Sequence, residues 1–236
     1  MFQLSIVIPV YNEEENIRPL HDSITKVVKG AKLSYEIIFV DDGSTDRSRE
    51  VIKSIISQDG NVHPIYFKKN CGKTSAFDAG FKDARGDIII TMDGDLQNDP
   101  SDIPKFMDKI EHYDVVCGWR HDRKDPWVKL ISSKIANFVR NAALKDGIYD
   151  SVCSFKAYRR ECLEGLKLFD GMHRFLPALF MMEGWEVTQI KINHHPRIYG
   201  KSKYGIKNRF FRGIVDLLIV LWMKKRTLNY REEVVR

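Results

Sequence analysis

The sequence has 236 residues, 43% hydrophobic and 30% charged, with a formal net charge of +6. That length suits one large α/β domain or about one and a half domains of typical size, and the composition excludes a disordered chain. The four cysteines (Cys71, Cys117, Cys153 and Cys162) show no Cys-x-x-Cys spacing and no paired histidine pattern, so reduced thiols in a cytosolic compartment are expected and zinc is not.

A strand-like run begins within four residues of the start, which argues against a signal peptide. No apolar run reaches the roughly 18 residues that a spanning helix needs. Leu4-Ser5-Ile6-Val7-Ile8-Pro9-Val10 reads as a buried strand ended by Pro9, which cannot donate to a ladder. Asn12 as N-cap, with acidic residues behind it, predicts a helix from about 13 to 29 whose apolar face is Ile17, Leu20, Ile24, Val27 and Val28. Glu36-Ile37-Ile38-Phe39-Val40 is a second strand, with Asp41-Asp42-Gly43-Ser44-Thr45-Asp46 at its carboxyl end. Ser44 or Thr45 can cap the helix that carries Val51, Ile52, Ile55 and Ile56.

Val62-His63-Pro64-Ile65-Tyr66-Phe67 is a third, shorter strand, and Asn70-Cys71-Gly72-Lys73-Thr74-Ser75 opens a helix to about Arg85. Its Gly-Lys-Thr triplet is not a phosphate-binding P-loop, because Phe67 stands where the first glycine is required. Asp87-Ile88-Ile89-Ile90 is a fourth strand, followed by Thr91-Met92-Asp93-Gly94-Asp95-Leu96-Gln97-Asn98-Asp99-Pro100 and a helix to about His112. Asp114-Val115-Val116-Cys117-Gly118 is a fifth strand, ending in Trp119-Arg120.

Five alternations of strand and helix predict a doubly wound, mostly parallel sheet. Charged residues fall at the carboxyl ends of the first, second, fourth and fifth strands, the edge where such sheets bind ligands. Asp93 and Asp95, with the amide of Gln97, suit an oxygen-liganded Mg²⁺ or Mn²⁺ that would in turn hold a diphosphate. Those ten residues alone read equally well as an acidic turn around Gly94; the other strand-end charges tip the balance toward a site.

The second half is less regular. A helix is expected from Pro126 to about Leu144, a turn running into a strand from Asp150 to Arg160, helical spacing from His173 to Glu183, and a strand with one wet face at Glu186-Val187-Thr188-Gln189-Ile190-Lys191-Ile192. The basic, glycine-punctuated segment from His194 to Gly205 reads as a mobile loop. Its His194-His195 pair is disfavoured as a metal site, since adjacent side chains leave a strand end on opposite sides. Arg197 and Lys203 on this loop, and Arg120 at a strand end, are the residue types that close over phosphates.

The runs Ile6-Val7-Ile8-Pro9-Val10-Tyr11-Asn12-Glu13-Glu14, Val40-Asp41-Asp42-Gly43-Ser44-Thr45-Asp46 and Met92-Asp93-Gly94-Asp95-Leu96-Gln97 resemble the family 2 glycosyltransferases. Asp150 through Arg160, His173-Arg174-Phe175-Leu176-Pro177-Ala178-Leu179 and His195 through Gly205 narrow the resemblance to the dolichol-phosphate mannosyltransferase and bacterial polyprenyl-phosphate glycosyltransferase branch. It covers roughly residues 4 to 222 and implies a Rossmann-like α/β GT-A fold, with helices on both faces of the sheet. The catalytic domain would be 1–205, with a nucleotide-sugar half to about 120 and an acceptor half from about 121. It further implies a nucleoside pocket lined by Pro9, Tyr11, Glu13, Val40 and Asp42. Asp93, Asp95 and Gln97 would hold Mg²⁺ or Mn²⁺, Gly94 would give a backbone contact, and Arg120, Arg197 and Lys203 would grip the phosphates. Gly94 stands where Ala is common, and many bacterial relatives continue into transmembrane helices where this sequence stops at Arg236.

The reaction implied is inverting transfer from a UDP- or GDP-sugar to a polyprenyl phosphate, giving a lipid-linked sugar donor for glycan or lipopolysaccharide modification. Such an acceptor is already anionic and needs no strong base. Two alternatives stay open: transfer to a saccharide hydroxyl in cell-surface polysaccharide synthesis, and an inactive nucleotide-sugar-binding subunit. The segment 206–236 carries the most apolar stretch, Phe210 to Met223, flanked by Lys207, Arg209, Arg212, Lys224, Lys225 and Arg226. It is expected to form an amphipathic helix at an anionic, cytoplasmic membrane face, a reading favoured over a purely internal helix, and a separate membrane subunit stays open as a further partner. No nucleic-acid motif is present.

Overall fold

The computed structural model describes residues 2–121, 137–200 and 206–227, the backbone alone over 206–212. One sheet runs in the order β3-β2-β1-β4-β6-β5-β7, built from β1 Leu4–Val10, β2 Tyr35–Asp41, β3 Val62–Tyr66, β4 Ile88–Thr91, β5 Val115–Arg120, β6 Lys156–Arg159 and β7 Val187–Ile192. All neighbours along it are parallel except at β6, which lies antiparallel between β4 and β5. The helices are α1 Glu14–Gly30, α2 Ser48–Ile56, α3 Lys73–Asp83, α4 Ile103–Lys109, α5 (137–144), α6 Arg160–Leu163, α7 Leu176–Met182 and α8 Ile206–Arg226. Short 3-10 turns, Pro100–Asp102 and Met172–Arg174, precede α4 and α7. The expected helix over 126–136 lies outside the described residues.

β1 and β2 are continuous apolar runs because both faces of the sheet are covered, and alternate residues serve opposite faces. Leu4, Ile6, Ile8, Ile37 and Phe39 pack with Ile17, Leu20, Ile24, Ile52 and Ile55 of α1 and α2. Val7, Ile38 and Val40 pack with Ala76 and Phe77 of α3. A third cluster joins Val115, Cys117 and Tyr158 to α7 and to Val220 of α8. β7 lies at the sheet edge and is half-buried from Val187 to Ile190, without the alternation of buried and wet positions that its period-two pattern predicts.

Three local expectations are corrected. Pro9 does not end β1; the strand runs to Val10, with Pro9 opposite Val40. Val7 bonds toward β4, through Met92 N–H at 3.1 Å, and Val10 toward β2, through Asp42 N–H at 2.8 Å. Pro9 has the parity of Val7, so its missing donor faces the side where β4 has already ended at Thr91. Asn12 is not the cap of α1. It adopts φ 53° and its Oδ1 accepts from Thr45 N–H at 2.7 Å. Ser44 does not cap α2 either; its Oγ accepts from Asn12 N–H at 2.9 Å, so these polar side chains stitch the β1 and β2 exit loops together.

The apolar stretch of α8 divides into two faces. Val220 is fully buried, and Asp216 is buried within 3.3 Å of Arg174. Burying Val220 contributes about 1.5–3 kcal/mol. Ile214, Val215, Leu218, Ile219 and Trp222 face outward and are exposed. No helix among the described residues is long and apolar enough to cross a membrane.

Candidate active site

Beyond β4 the chain folds back on itself at the carboxyl edge of the sheet. Asp93 N–H donates to Asn98 Oδ1 at 3.1 Å, Gln97 N–H donates to Asp95 Oδ1 at 3.2 Å, and Leu96 takes φ 60°. Such left-handed strain on a non-glycine residue is tolerated where the surroundings hold it. Gly94 sits against β1: a Cβ there would lie 3.2 Å from the Pro9 carbonyl, so a methyl is a tight fit and a larger group would displace the strand. The turn thus presents two carboxylates one residue apart.

Each carboxylate meets a cation from far along the chain. Lys73 Nζ, in the first turn of α3, bonds to Asp93 Oδ1 and donates to Ser154 Oγ at 2.6 Å. Arg197 Nη2 lies 2.5 Å from Asp95 Oδ2, and its Nη1 lies 3.3 Å from Glu13 Oε1. Burial opposes ionisation of Asp93, but Lys73 and then Arg120 prevail and hold it below the ordinary carboxylate range. Asp95 goes the other way: burial and the neighbouring Asp93 push it up to about 6, with Arg197 offsetting only part.

Arg197 reaches the site because the segment after β7 is latched to the loop after β4. Asn193 N–H donates to Asp102 Oδ2 at 2.6 Å, His195 N–H to Gln97 O at 2.9 Å, and His195 Nε2 lies 3.0 Å from Asp99 Oδ2. The two histidines diverge as expected, His194 buried and His195 exposed. Gln97 is half-buried beside them, its Nε2 3.4 Å from His195 O. Arg120 lies at the end of β5 with its Nε and Nη2 donating to Asp150 at 2.7 and 3.0 Å. That edge of the guanidinium is taken by Asp150, and among the described residues Nη1 has no hydrogen-bond partner.

The residues expected to line a nucleoside pocket are more mixed. Pro9, Tyr11 and Glu13 lie on and just after the end of β1, and Glu13 also accepts from Asn16 Nδ2 at 2.5 Å. Asp42 is buried and its carboxylate accepts from Cys71 and Gly72 N–H at 2.6 and 2.9 Å, holding the loop into α3. Burial, with Asp41 alongside, raises its pKa despite those bonds. Val40 has no exposed surface and its side chain packs with Ala76 and Phe77 of α3. Lys203 lies outside the described residues.

Lys73, Ser154 and Asp150 are the polar partners that the sequence reading left out. Rejecting the P-loop removed Lys73 from view, yet a lysine opening the helix after a third strand already belonged to the ligand edge. Asp150 and Ser154 arrive there because β6 runs backward, so the turn before it sits at the same edge as the ends of β4 and β5.

A doubly wound sheet with a carboxylate pair at one strand end and cations gathered over it defines a class of phosphate-handling enzymes. The Glycosyl transferase family 2 profile matches residues 5–166. The chain is 37% identical over 229 residues to a dodecaprenyl-phosphate galacturonate synthase from Rhizobium johnstonii, covering 94% of this chain and 68% of that one. It is 37% identical over 221 residues to an undecaprenyl-phosphate 4-deoxy-4-formamido-L-arabinose transferase from Proteus mirabilis, covering 93% and 68%. Among solved structures, glucosyl-3-phosphoglycerate synthase from Mycobacterium tuberculosis, crystallised with Mn²⁺, UDP and glucosyl-3-phosphoglycerate, shares the fold with a TM-score of 0.70 at 17% identity, covering 97% of this chain and 81% of that one. The same enzyme was also crystallised with Mg²⁺ and UDP. The chain belongs to glycosyl transferase family 2, and it is a glycosyltransferase with the GT-A fold.

Proposed function

We propose that this enzyme moves a sugar from a nucleoside diphosphate donor to the phosphate of a polyprenyl lipid, working at the cytoplasmic face of a membrane. The observation that carries the donor half is the Asp93–Asp95 pair ringed by Lys73, Arg120 and Arg197. The acceptor half is supported by the two polyprenyl-phosphate transferases to which most of the chain aligns.

The donor set fits a divalent cation of the Mg²⁺ or Mn²⁺ kind. Two hard carboxylates stand on one turn, and each now meets a positive side chain, Lys73 at Asp93 and Arg197 at Asp95, whose place a bound ion would take or share. Asp93 and Asp95 would hold the ion, with Gln97 beside them, and when bound it would offset negative charge on the departing nucleoside diphosphate. Asp93 is kept ionised by Lys73, ready as a ligand. Arg197 would give up Asp95 and Glu13 as the ion and the diphosphate arrive, and can then fork onto two phosphate oxygens where leaving-group charge develops. Arg120, clamped by Asp150 through Nε and Nη2, would offer its remaining donors from a fixed orientation. Lys203 would add a point charge from the same loop as Arg197.

The acceptor oxygen is an anion near neutral pH, so displacement at the anomeric carbon needs no proton abstraction. The sugar–phosphate bond breaks as the new bond to the lipid phosphate forms, and the anomeric centre inverts. The exposed apolar face of α8, with Lys224, Lys225 and Arg226 at its end, suits the headgroup region of an anionic bilayer. A thermal-shift titration with UDP, GDP and dTDP, with and without Mn²⁺, tests the donor half. One nucleotide should raise Tm more with Mn²⁺ than without it, and no shift with any of the three would overturn it.

A further inference from the structure

The amino end of α3 and the Met172–Arg174 turn hold a polar arrangement that the account above leaves unused. Gly171 N–H donates to Thr74 Oγ1 at 3.0 Å, and Thr74 Oγ1 lies 2.7 Å from His173 Nδ1. A hydroxyl has one proton and two lone pairs. One lone pair of Thr74 is taken by Gly171, and among the described residues His173 Nδ1 is the acceptor within reach of its proton. With Thr74 donating and Nδ1 accepting, the hydroxyl proton is bonded as well, and this arrangement puts the imidazole proton on Nε2. Burial, with Lys73, Arg174 and Lys156 close by, holds the ring well below the ordinary histidine range, so it is neutral. Phe77, one turn along α3, lies against it with ring centroids 6.3 Å apart.

Chain neighbours on both sides fix where this donor stands. Lys73, preceding Thr74, is bonded to Asp93. Arg174, following His173, pairs with Asp216 of α8, the helix whose outer face carries Leu218 and Trp222. His173 is thus next in the chain to the residue that contacts α8, and its partner Thr74 is next to the residue that contacts Asp93.

Building on the polyprenyl-phosphate reading, we propose that His173 is a binding residue for the acceptor phosphate, its Nε2–H donating to a phosphate oxygen, with Thr74 as the positioning residue that fixes the tautomer. No proton moves. A neutral donor suits the chemistry, because a cationic partner would draw charge from the oxygen that must attack, whereas one hydrogen bond holds the headgroup and leaves it nucleophilic.

The test measures binding of farnesyl phosphate to the full chain, with farnesol and the nucleotide chosen by thermal shift as controls, and reads the imidazole nitrogens of ¹⁵N-labelled protein by NMR. His173→Ala should weaken farnesyl phosphate about tenfold, the scale of one hydrogen bond to a charged group, and leave farnesol and nucleotide binding unchanged. His173→Gln, which keeps a donor at the same reach, should restore most of the loss. Thr74→Val should weaken farnesyl phosphate and populate the other tautomer, and Thr74→Ser should do neither. An unprotonated Nε2 in the wild type, or wild-type affinity in His173→Ala, would overturn the proposal. So would a loss of nucleotide binding in His173→Ala, which would assign the residue to the donor. If wild-type protein binds farnesyl phosphate no better than farnesol, the acceptor reading itself fails, a different result from failure of His173 alone.

Discussion

Asp95 is a carboxylate in a place that disfavours its charge, and the cost belongs to function. Its pKa is raised to about 6 by burial and by Asp93, against about 3.9 in an unfolded chain. Between those values the folded state binds more protons than the unfolded one, so stability falls as pH rises from about 4 to about 6 and stays lower above that. Asp95→Asn should therefore melt a few degrees higher than wild type at pH 8 in EDTA, a gain on the order of 2 kcal/mol, and match it near pH 4. Equal melting at both pH values would remove the strain from the account. Arg197 makes a graded prediction: Arg197→Ala should lose about 100-fold or more in kcat/KM and Arg197→Lys about tenfold, since lysine keeps the charge and loses the fork. Wild-type rates in both would take Arg197 out of the site. At this scale the sequence was informative about Asp93, Asp95 and Arg197, whose residue types announce the chemistry. It was silent on Lys73 and Asp150, because an ion pair between residues 20 or 30 apart has no local signature. It did not show that the Val40 side chain is buried, since a residue beside a charged motif can still point into the core.

The elements β6 and α8 carry most of what the pattern of apolar residues could not say. Periodicity identified a strand before Arg160, but not that it would enter the sheet backward between β4 and β5. That choice is made by pairing partners distant in sequence. For α8 the apolar run was legible and its division was not, because helical spacing alone does not tell which face meets Val115, Tyr158 and α7. The outward face makes its own prediction: Leu218→Asp combined with Trp222→Asp should cost less than about 0.5 kcal/mol in stability, as surface changes do, while abolishing sedimentation with anionic vesicles. Undiminished vesicle binding would show that α8 is not the membrane-facing element. The corrected fate of Pro9 belongs here too. A proline fits inside a central strand where the neighbour on its silent side has already turned away, and that departure of β4 is what opens the ligand edge.

At the scale of the molecule, one sheet serves two jobs. β1, β2 and β4 deliver the acidic turns, β5 and the turn before β6 deliver Arg120, Asp150 and Ser154, and the segment after β7 returns Arg197 across the edge. Removing any one contribution would leave the proposed diphosphate site short of a charge or a polar partner. The alternation of strands and helices was enough to anticipate this edge, because a doubly wound sheet has one place for ligands. The direct test of the whole account is transfer of labelled sugar from a panel of UDP- and GDP-sugars with Mn²⁺ to a short-chain polyprenyl phosphate, set against saccharide acceptors. The account predicts a lipid-linked product from one donor, none from the saccharides, and none from Asp95→Ala despite its normal folding. Transfer to a saccharide hydroxyl in preference to the lipid phosphate, or undiminished transfer by Asp95→Ala, would contradict it.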